Sequence, residues 1–173
     1  MSDFRPMLAT LARIPPVGAG WVFEPKYDGI RAIAVVTGAS VVLLTRNGND
    51  KAPQFPELAK ALRRLRAEVD ADLVLDGEIV ALREGEAARF QDLQGRMHVT
   101  NAHSITRLAK DQPAAFVAFD ILLDGDQAIM GEPWHVRRKH LEKRLARKTN
   151  ERVRLAPTSP DGEKMMKLAQ KGG

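Results

Sequence analysis

The stretch Ile30-Arg31-Ala32-Ile33-Ala34-Val35-Val36-Thr37-Gly38-Ala39-Ser40-Val41-Val42-Leu43-Leu44-Thr45 decides the fold class. Two runs rich in β-branched residues, Ile30–Val36 and Val41–Thr45, flank a short polar turn at Thr37–Ser40. Strands that follow one another so closely pair antiparallel, because a parallel pair needs a long crossover between them. Working outward, Arg46–Gln54 reads as a loop with Asn47-Gly48 as its turn, and Pro56–Val69 as a helix. Pro56 suits the first turn of that helix, and Leu58, Leu62, Leu65 and Val69 share one face. Leu73–Leu82 predicts a strand interrupted by Asp76-Gly77-Glu78, Phe90–Met97 a short helix, and Ala115–Leu123 a strand closed by Asp124-Gly125-Asp126. His135–Lys148 predicts a basic helix with Leu141 and Leu145 inward, Arg152–Pro157 a short strand, and Glu163–Lys171 a last helix. Residues 1–20, broken by Pro6, Pro15, Pro16, Gly18 and Gly20, read as an extended lead-in, with Trp21–Pro25 a short strand after it. Strands and helices mixed around a hairpin indicate an α+β chain rather than regular βαβ units.

The 173 residues suffice for one domain with a real core. The absence of cysteine excludes a disulfide scaffold, a thiolate metal site and a cysteine nucleophile. No apolar run approaches the ~20 residues of a membrane span, and the polar, proline-broken start is no signal peptide, so a cytoplasmic protein without membrane partners is expected. The net charge of +5 is uneven. Between Trp134 and Arg154, nine basic residues and two acidic ones give +7, leaving −2 on the rest. Such a segment fits either a polyanion partner or a solvated helix face.

Three polar clusters sit at strand ends: Glu24-Pro25-Lys26-Tyr27-Asp28-Gly29-Ile30-Arg31, Thr45-Arg46-Asn47-Gly48, and Asp76-Gly77-Glu78. A lysine amine becomes a nucleophile only without its proton, which takes burial or nearby positive charge; Arg31 or a bound divalent cation could supply the latter. Gly29 would let the backbone approach a ligand closely. Two carboxylates breaking an apolar strand are costly unless paired or wet, and Asp76 and Glu78 are candidates for a ribose hydroxyl or a hard cation. A strand-end turn explains the same pattern. Phe119 could stack on a base, or belong to the core. There is no G-x-x-x-x-G-K-[ST] loop, and the histidines show no metal-ligand spacing.

Taken in order, Lys26-Tyr27-Asp28-Gly29-Ile30-Arg31, Thr45-Arg46-Asn47-Gly48, Asp76-Gly77-Glu78-Ile79-Val80 and Phe119-Asp120-Ile121-Leu122 resemble the adenylation domain of ATP-dependent DNA ligases, a branch of the covalent nucleotidyltransferases. The lead-in Arg5-Pro6-Met7-Leu8-Ala9 and the stretch Phe90-Gln91-Asp92-Leu93-Gln94-Gly95-Arg96 look most like bacterial end-joining ligases. The resemblance implies an antiparallel-sheet, ATP-grasp-like nucleotidyltransferase fold. It implies that Lys26 attacks the α-phosphate of ATP and holds AMP, that Glu24 reads the adenine amine, and that Asp28 supports the lysine loop. Arg31 and Arg46 would contact ribose or phosphates and, in the later steps, the 5′-phosphate of nicked DNA. Glu78 would bind ribose hydroxyls or Mg²⁺ (or Mn²⁺), and Phe119 would stack on adenine. Arg137 and Arg138, in the basic stretch, would contact DNA. ATP would be the cofactor. Nicked double-stranded DNA would be the substrate in repair, recombination and replication. End-joining proteins or a C-terminal OB-fold half would be partners, in a bacterial, nucleoid-associated setting.

The family pattern continues into E-G-x-x-x-K and K-x-K motifs and an OB-fold, whereas this sequence reaches Lys171-Gly172-Gly173 without them. The expectation is therefore a C-terminally incomplete adenylation domain, with weak or no ligation alone and ATP binding and slow self-adenylylation at best. The competing expectations are a catalytically incomplete nucleotide- or DNA-binding fragment and an RNA-ligase or capping-type nucleotidyltransferase.

Overall fold

The hairpin forms over the residues its pattern indicates. In the computed structural model, β1 (Ile30–Val36) and β2 (Val41–Thr45) pair antiparallel from Val36 opposite Val41 to Ala32 opposite Thr45. Thr37 closes the turn: its amide donates to the Ser40 carbonyl at 2.9 Å, and its hydroxyl accepts from the Ser40 amide at 3.1 Å. The structure describes residues 4, 6–12, 16, 18–146 and 150–171, and side chains to residue 167. Arg5, Pro15, Arg147, Lys148 and the final glycines, named in the expectations above, lie outside the described residues.

The hairpin extends into one sheet of order β2-β1-β3-β5-β6, with β3 (Leu73–Arg83), β5 (Ala114–Asp124) and β6 (Gln127–Ala128). A short return, β4 (Glu86–Ala88), pairs with β3 after a turn whose Gly85 has φ +85°. The strand β7 (Val153–Leu155) joins β5 in parallel. All other pairings are antiparallel, and the helices segregate from the strands, giving the expected α+β architecture.

One sheet face carries the main core. Ala34, Val36, Leu75, Ile79, Phe116 and Ala118 meet α1 (Pro56–Val69), which buries Leu58, Leu62 and Leu65, and α4 (Trp134–Leu145), which buries Leu141 and Leu145. Each such leucine contributes roughly 2 kcal/mol by leaving water. The short α2 (Gln91–Gln94) is confined to part of the expected Phe90–Met97, and Trp21–Pro25 makes only one bridge, Phe23 to Ser159. A helix that the sequence reading left unassigned, α3 (Ala102–Asp111), starts where the Asn101 side chain accepts from the Ser104 amide at 3.1 Å. The last helix, α5, spans Gly162–Lys171. Among the described residues, no helix is long and apolar enough to cross a membrane.

Two corrections concern the centre of the sheet. Asp76-Gly77-Glu78 does not interrupt its strand; β3 runs through it, because Arg31 pairs with Asp76 and because the partner strand is irregular there. Along β5 the register steps from Asp120 (opposite Asp76) to Ala118 (opposite Gly77), so Phe119 is an extra residue; Leu122 is a second one. A bulge of this kind re-aims side chains. Ala118 and Ile121 both enter the main core, while Phe119 and Asp120 between them turn to the opposite face. Gly77 faces the first bulge, and a Cβ there would come within 2.5 Å of the Phe116 ring and 2.6 Å of the Val117 carbonyl.

Candidate active site

The face opposite the main core holds the chemistry. Along β1 and β3 it carries Ile33, Val35 and Val74 in one small apolar cluster and Val80 with Val117 and Phe119 in another. Between them lie Arg31, Asp76 and Glu78. Arg31 stands opposite Glu78 in register and reaches diagonally to Asp76, donating through Nε and Nη2 to both oxygens at 2.9 and 2.8 Å. The same guanidinium lies 4.8 Å from the centre of the Phe119 ring, so the bulge places an aromatic plate beneath a fixed cation. Asp76 holds Arg31 firmly charged, first through those hydrogen bonds.

Glu78 behaves differently. Its carboxyl is pushed up to about 7 by burial, against the opposing pull of Arg31, the Gly29 amide and Lys26. Gly29 is required by β3: a Cβ would fall 2.2 Å from the Ile79 carbonyl oxygen. The close approach that the sequence suggested toward a ligand is thus made to the protein's own backbone. Arg46 follows β2 at the same sheet end, one residue past Thr45, in a turn where Gly48 takes φ +76°. It is exposed.

Glu24 and Lys26 come from the segment that leads into β1. Phe23 anchors it through reciprocal backbone bonds with Ser159, at 2.8 and 3.0 Å. The two side chains line a groove of about 830 Å³, opposite Asp161, Gly162, Glu163 and Met166 at the start of α5. Lys26 is exposed, so of the two devices suggested for it, burial is not the one used. Its positive charge acts on the carboxyl of Glu78. Asp28 accepts from the Phe90 amide at 3.2 Å, tying the lysine loop to the start of α2. Glu24 is half-buried; burial raises its carboxyl, Arg138 opposes that, and Asp120 adds to it.

The basic segment is used mainly inside the chain. Arg137 grips Asp120 through Nε and Nη2, the latter at 2.7 Å, and donates to the Glu132 carbonyl. Arg138 is 6% exposed, bonded to Glu142 and to the Ala156 carbonyl. Arg144 and His140 both hold Asp124, and Arg152 and Arg154 donate to the Ala114 and Gly85 carbonyls. Arg137 and Arg138, expected to contact DNA, make their hydrogen bonds to carboxylates and carbonyls of the chain. Lys139 and Lys143 are the exposed cations of α4. Sequence reasoning missed Asp120, whose role follows from the bulge, and Arg96. Arg96 is buried beneath α1, pairs with Glu57 and lies 4.3 Å from the Phe55 ring centre.

Comparison with known proteins matches this geometry. The family model described as "ATP dependent DNA ligase domain" matches residues 6–170. DNA ligase C1 of Mycolicibacterium smegmatis is 42% identical over 142 residues, covering 79% of this chain and 39% of that protein. The bifunctional non-homologous end joining protein LigD of Bacillus subtilis is 32% identical over 157 residues, covering 90% of this chain and 25% of that protein. Among solved structures, the ligase domain of M. tuberculosis LigD superposes with a TM-score of 0.77 at 30% identity, over 98% of this chain and 50% of that one. A mycobacterial DNA ligase D complexed with ATP and MES gives 0.73 at 31% identity, over 98% of this chain and 51% of that one. The chain thus spans between a quarter and about half of the length of these relatives. With the family model covering nearly its whole length, the chain belongs to the ATP-dependent DNA ligase domain family.

Proposed function

We propose that this chain is the adenylation part of a DNA ligase, in which Lys26 takes AMP from ATP. The observation that carries the reading is the convergence of Glu24 and Lys26 on one groove beside the sheet end that holds Arg31, Glu78 and Phe119. The Lys26 amine, giving up a proton, forms a P–N bond to the α-phosphorus. The bond to the bridging oxygen breaks and pyrophosphate leaves. Arg31, locked in place by Asp76, supplies fixed positive charge for the phosphates, which costs no reorganisation during reaction. Glu24 accepts from the adenine amine, and Phe119 offers its ring to the base. Asp28 holds the loop so that Lys26 starts near its attack position. AMP then passes to the 5′-phosphate of nicked DNA, and the 3′-hydroxyl displaces it. Arg46 is the cation proposed to meet that DNA phosphate.

A divalent cation fits the site only modestly. Asp76 is committed to Arg31, and the described residues contain no group of three metal-ligating side chains. Glu78 is the carboxylate that would hold Mg²⁺ (or Mn²⁺), an ion usually bound through one or two carboxylates together with substrate phosphates. When bound, the cation would neutralise phosphate charge. The test is incubation with α-labelled ATP and Mg²⁺, followed by mass analysis of the peptide containing Lys26. An adenylate adduct on Lys26, absent in Lys26→Ala, is expected. Label retained without a covalent adduct would instead favour a nucleotide-binding fragment.

A further inference from the structure

Arg138 is an inward-facing cation on a helix, and two of its three nitrogens are pinned. Nε donates to Glu142 at 2.7 Å and Nη2 to the Ala156 carbonyl at 2.8 Å. The third, Nη1, is buried without a hydrogen-bond partner and lies 3.7 Å from Glu24 Oε1, which is itself buried and unpartnered. Two opposite charges thus face each other across a gap slightly too long for a hydrogen bond. Glu24 remains 29% exposed, with the groove on its open side. Leaving a buried donor and acceptor unmet is costly, so such atoms call for an explanation.

We propose that Arg138 is a positioning residue that fixes the base specificity of the groove, by holding Glu24 with one oxygen turned inward and an acceptor-only edge toward the bound base. This rests on the reading of Glu24 as the base contact. An acceptor-only edge matches the exocyclic amine of adenine, a donor. It opposes guanine, which carries a carbonyl oxygen at that place. Lys26, Asp161, Glu163 and Lys167 line the same groove, Tyr27 feels the Glu24 charge, and the negative charge of Asp120 is taken up by Arg137; the cation that acts on the Glu24 carboxyl is Arg138. Arg138 is therefore the cation that keeps Glu24 in its accepting form. Without it, burial favours a neutral acid that can donate, and the distinction between the two purines fades.

The test is binding of α-labelled ATP and α-labelled GTP to the full chain by equilibrium dialysis. It compares wild type, Arg138→Met, Glu24→Gln and the double variant, with circular dichroism to confirm folding. The wild type should favour ATP, and Arg138→Met should lower the ATP/GTP ratio by roughly tenfold, the size of one hydrogen bond to a charged group. In the Glu24→Gln background, Arg138→Met should lower the ratio no further; a merely structural role would weaken both nucleotides alike. If Arg138→Met does not fold, Arg138→Lys carries the test. One ammonium cannot span Glu142, Ala156 and Glu24, so the ratio must fall at least about threefold. An unchanged ratio with a wild type that prefers ATP overturns the role of Arg138 alone. A wild type that binds neither nucleotide overturns the nucleotide site itself, and this inference with it.

Discussion

Replacing Arg96 by methionine should remove a large share of the stability of the fold. The guanidinium is 1% exposed. It donates to both oxygens of Glu57, at 2.6 and 3.0 Å, and to the Gln112 and Gln54 carbonyls, at 2.8 and 2.7 Å. It thereby ties the start of α1 to the chain entering β5 and to the loop before α1. Methionine fills much of the volume but leaves the Glu57 carboxylate, 15% exposed, without its cation. Breaking a buried pair in this way costs about 3–5 kcal/mol, and a chain of this size has only about 5–15 to lose. With a urea dependence of about 2 kcal/mol per molar, the unfolding midpoint should fall by about 2 M. Chemical denaturation followed by circular dichroism reads this directly. Adding Glu57→Leu to Arg96→Met should recover part of the loss, because the stranded charge disappears. A midpoint shift below about 0.5 M, or a double variant no better than the single, would refute the reasoning.

Three further outcomes follow from the geometry. Gly77→Ala should cost about 2 kcal/mol and lower Tm by about 4–8 °C, since the new methyl meets the Phe116 ring and the Val117 carbonyl; an unchanged Tm in calorimetry would contradict the close packing at the bulge. Glu78→Gln should stabilise the chain in metal- and nucleotide-free buffer at pH 8 but not at pH 4. The folded-state carboxyl sits at about 7, above its ordinary 4.5, so wild-type stability is lost as pH rises through that window; allowing for partial solvent access, the gain is about 1–2 kcal/mol. A gain equal at both pH values would count against the shift. Arg46→Ala should weaken nicked-DNA binding and reduce the magnitude of the salt slope by about 1, whereas an unaltered slope in a salt titration would remove Arg46 from the DNA contact.

What the sequence made legible was local. β1, β2 and α1 fall on the residues expected, because alternation, a polar turn and leucine spacing are properties of a few neighbouring residues. The site motifs were legible as well: Arg31, Glu78 and Phe119 meet at one sheet end, and Glu24 and Lys26 share the adjoining groove. The charge of the segment around α4 was legible, but its use was not. An arginine reads the same whether it faces water or, like Arg138, a carboxylate inside. The bulge at Phe119 is a property of two strands together, so no reading of β5 alone could find it. The start of α3 did carry a signal, Asn101 three residues before Ser104 with Ile105 and Leu108 at helical spacing behind it, although the helix buries none of its residues fully.

The extra residue in β5 also leaves the strand open to two kinds of change. Exchanging Phe119 for a smaller side chain removes a ring and leaves every neighbour facing as before. Excising it leaves Ala118, Asp120 and Ile121 opposite Gly77, Asp76 and Leu75 in plain alternation, so the ladder closes, the pairings beyond are unchanged and Asp120 stays within reach of Arg137; what is lost is the ring and the local kink. Gene histories of such a strand should therefore tolerate single-codon losses here as far as the sheet is concerned, and lack them only where the ring beside Arg31 is needed.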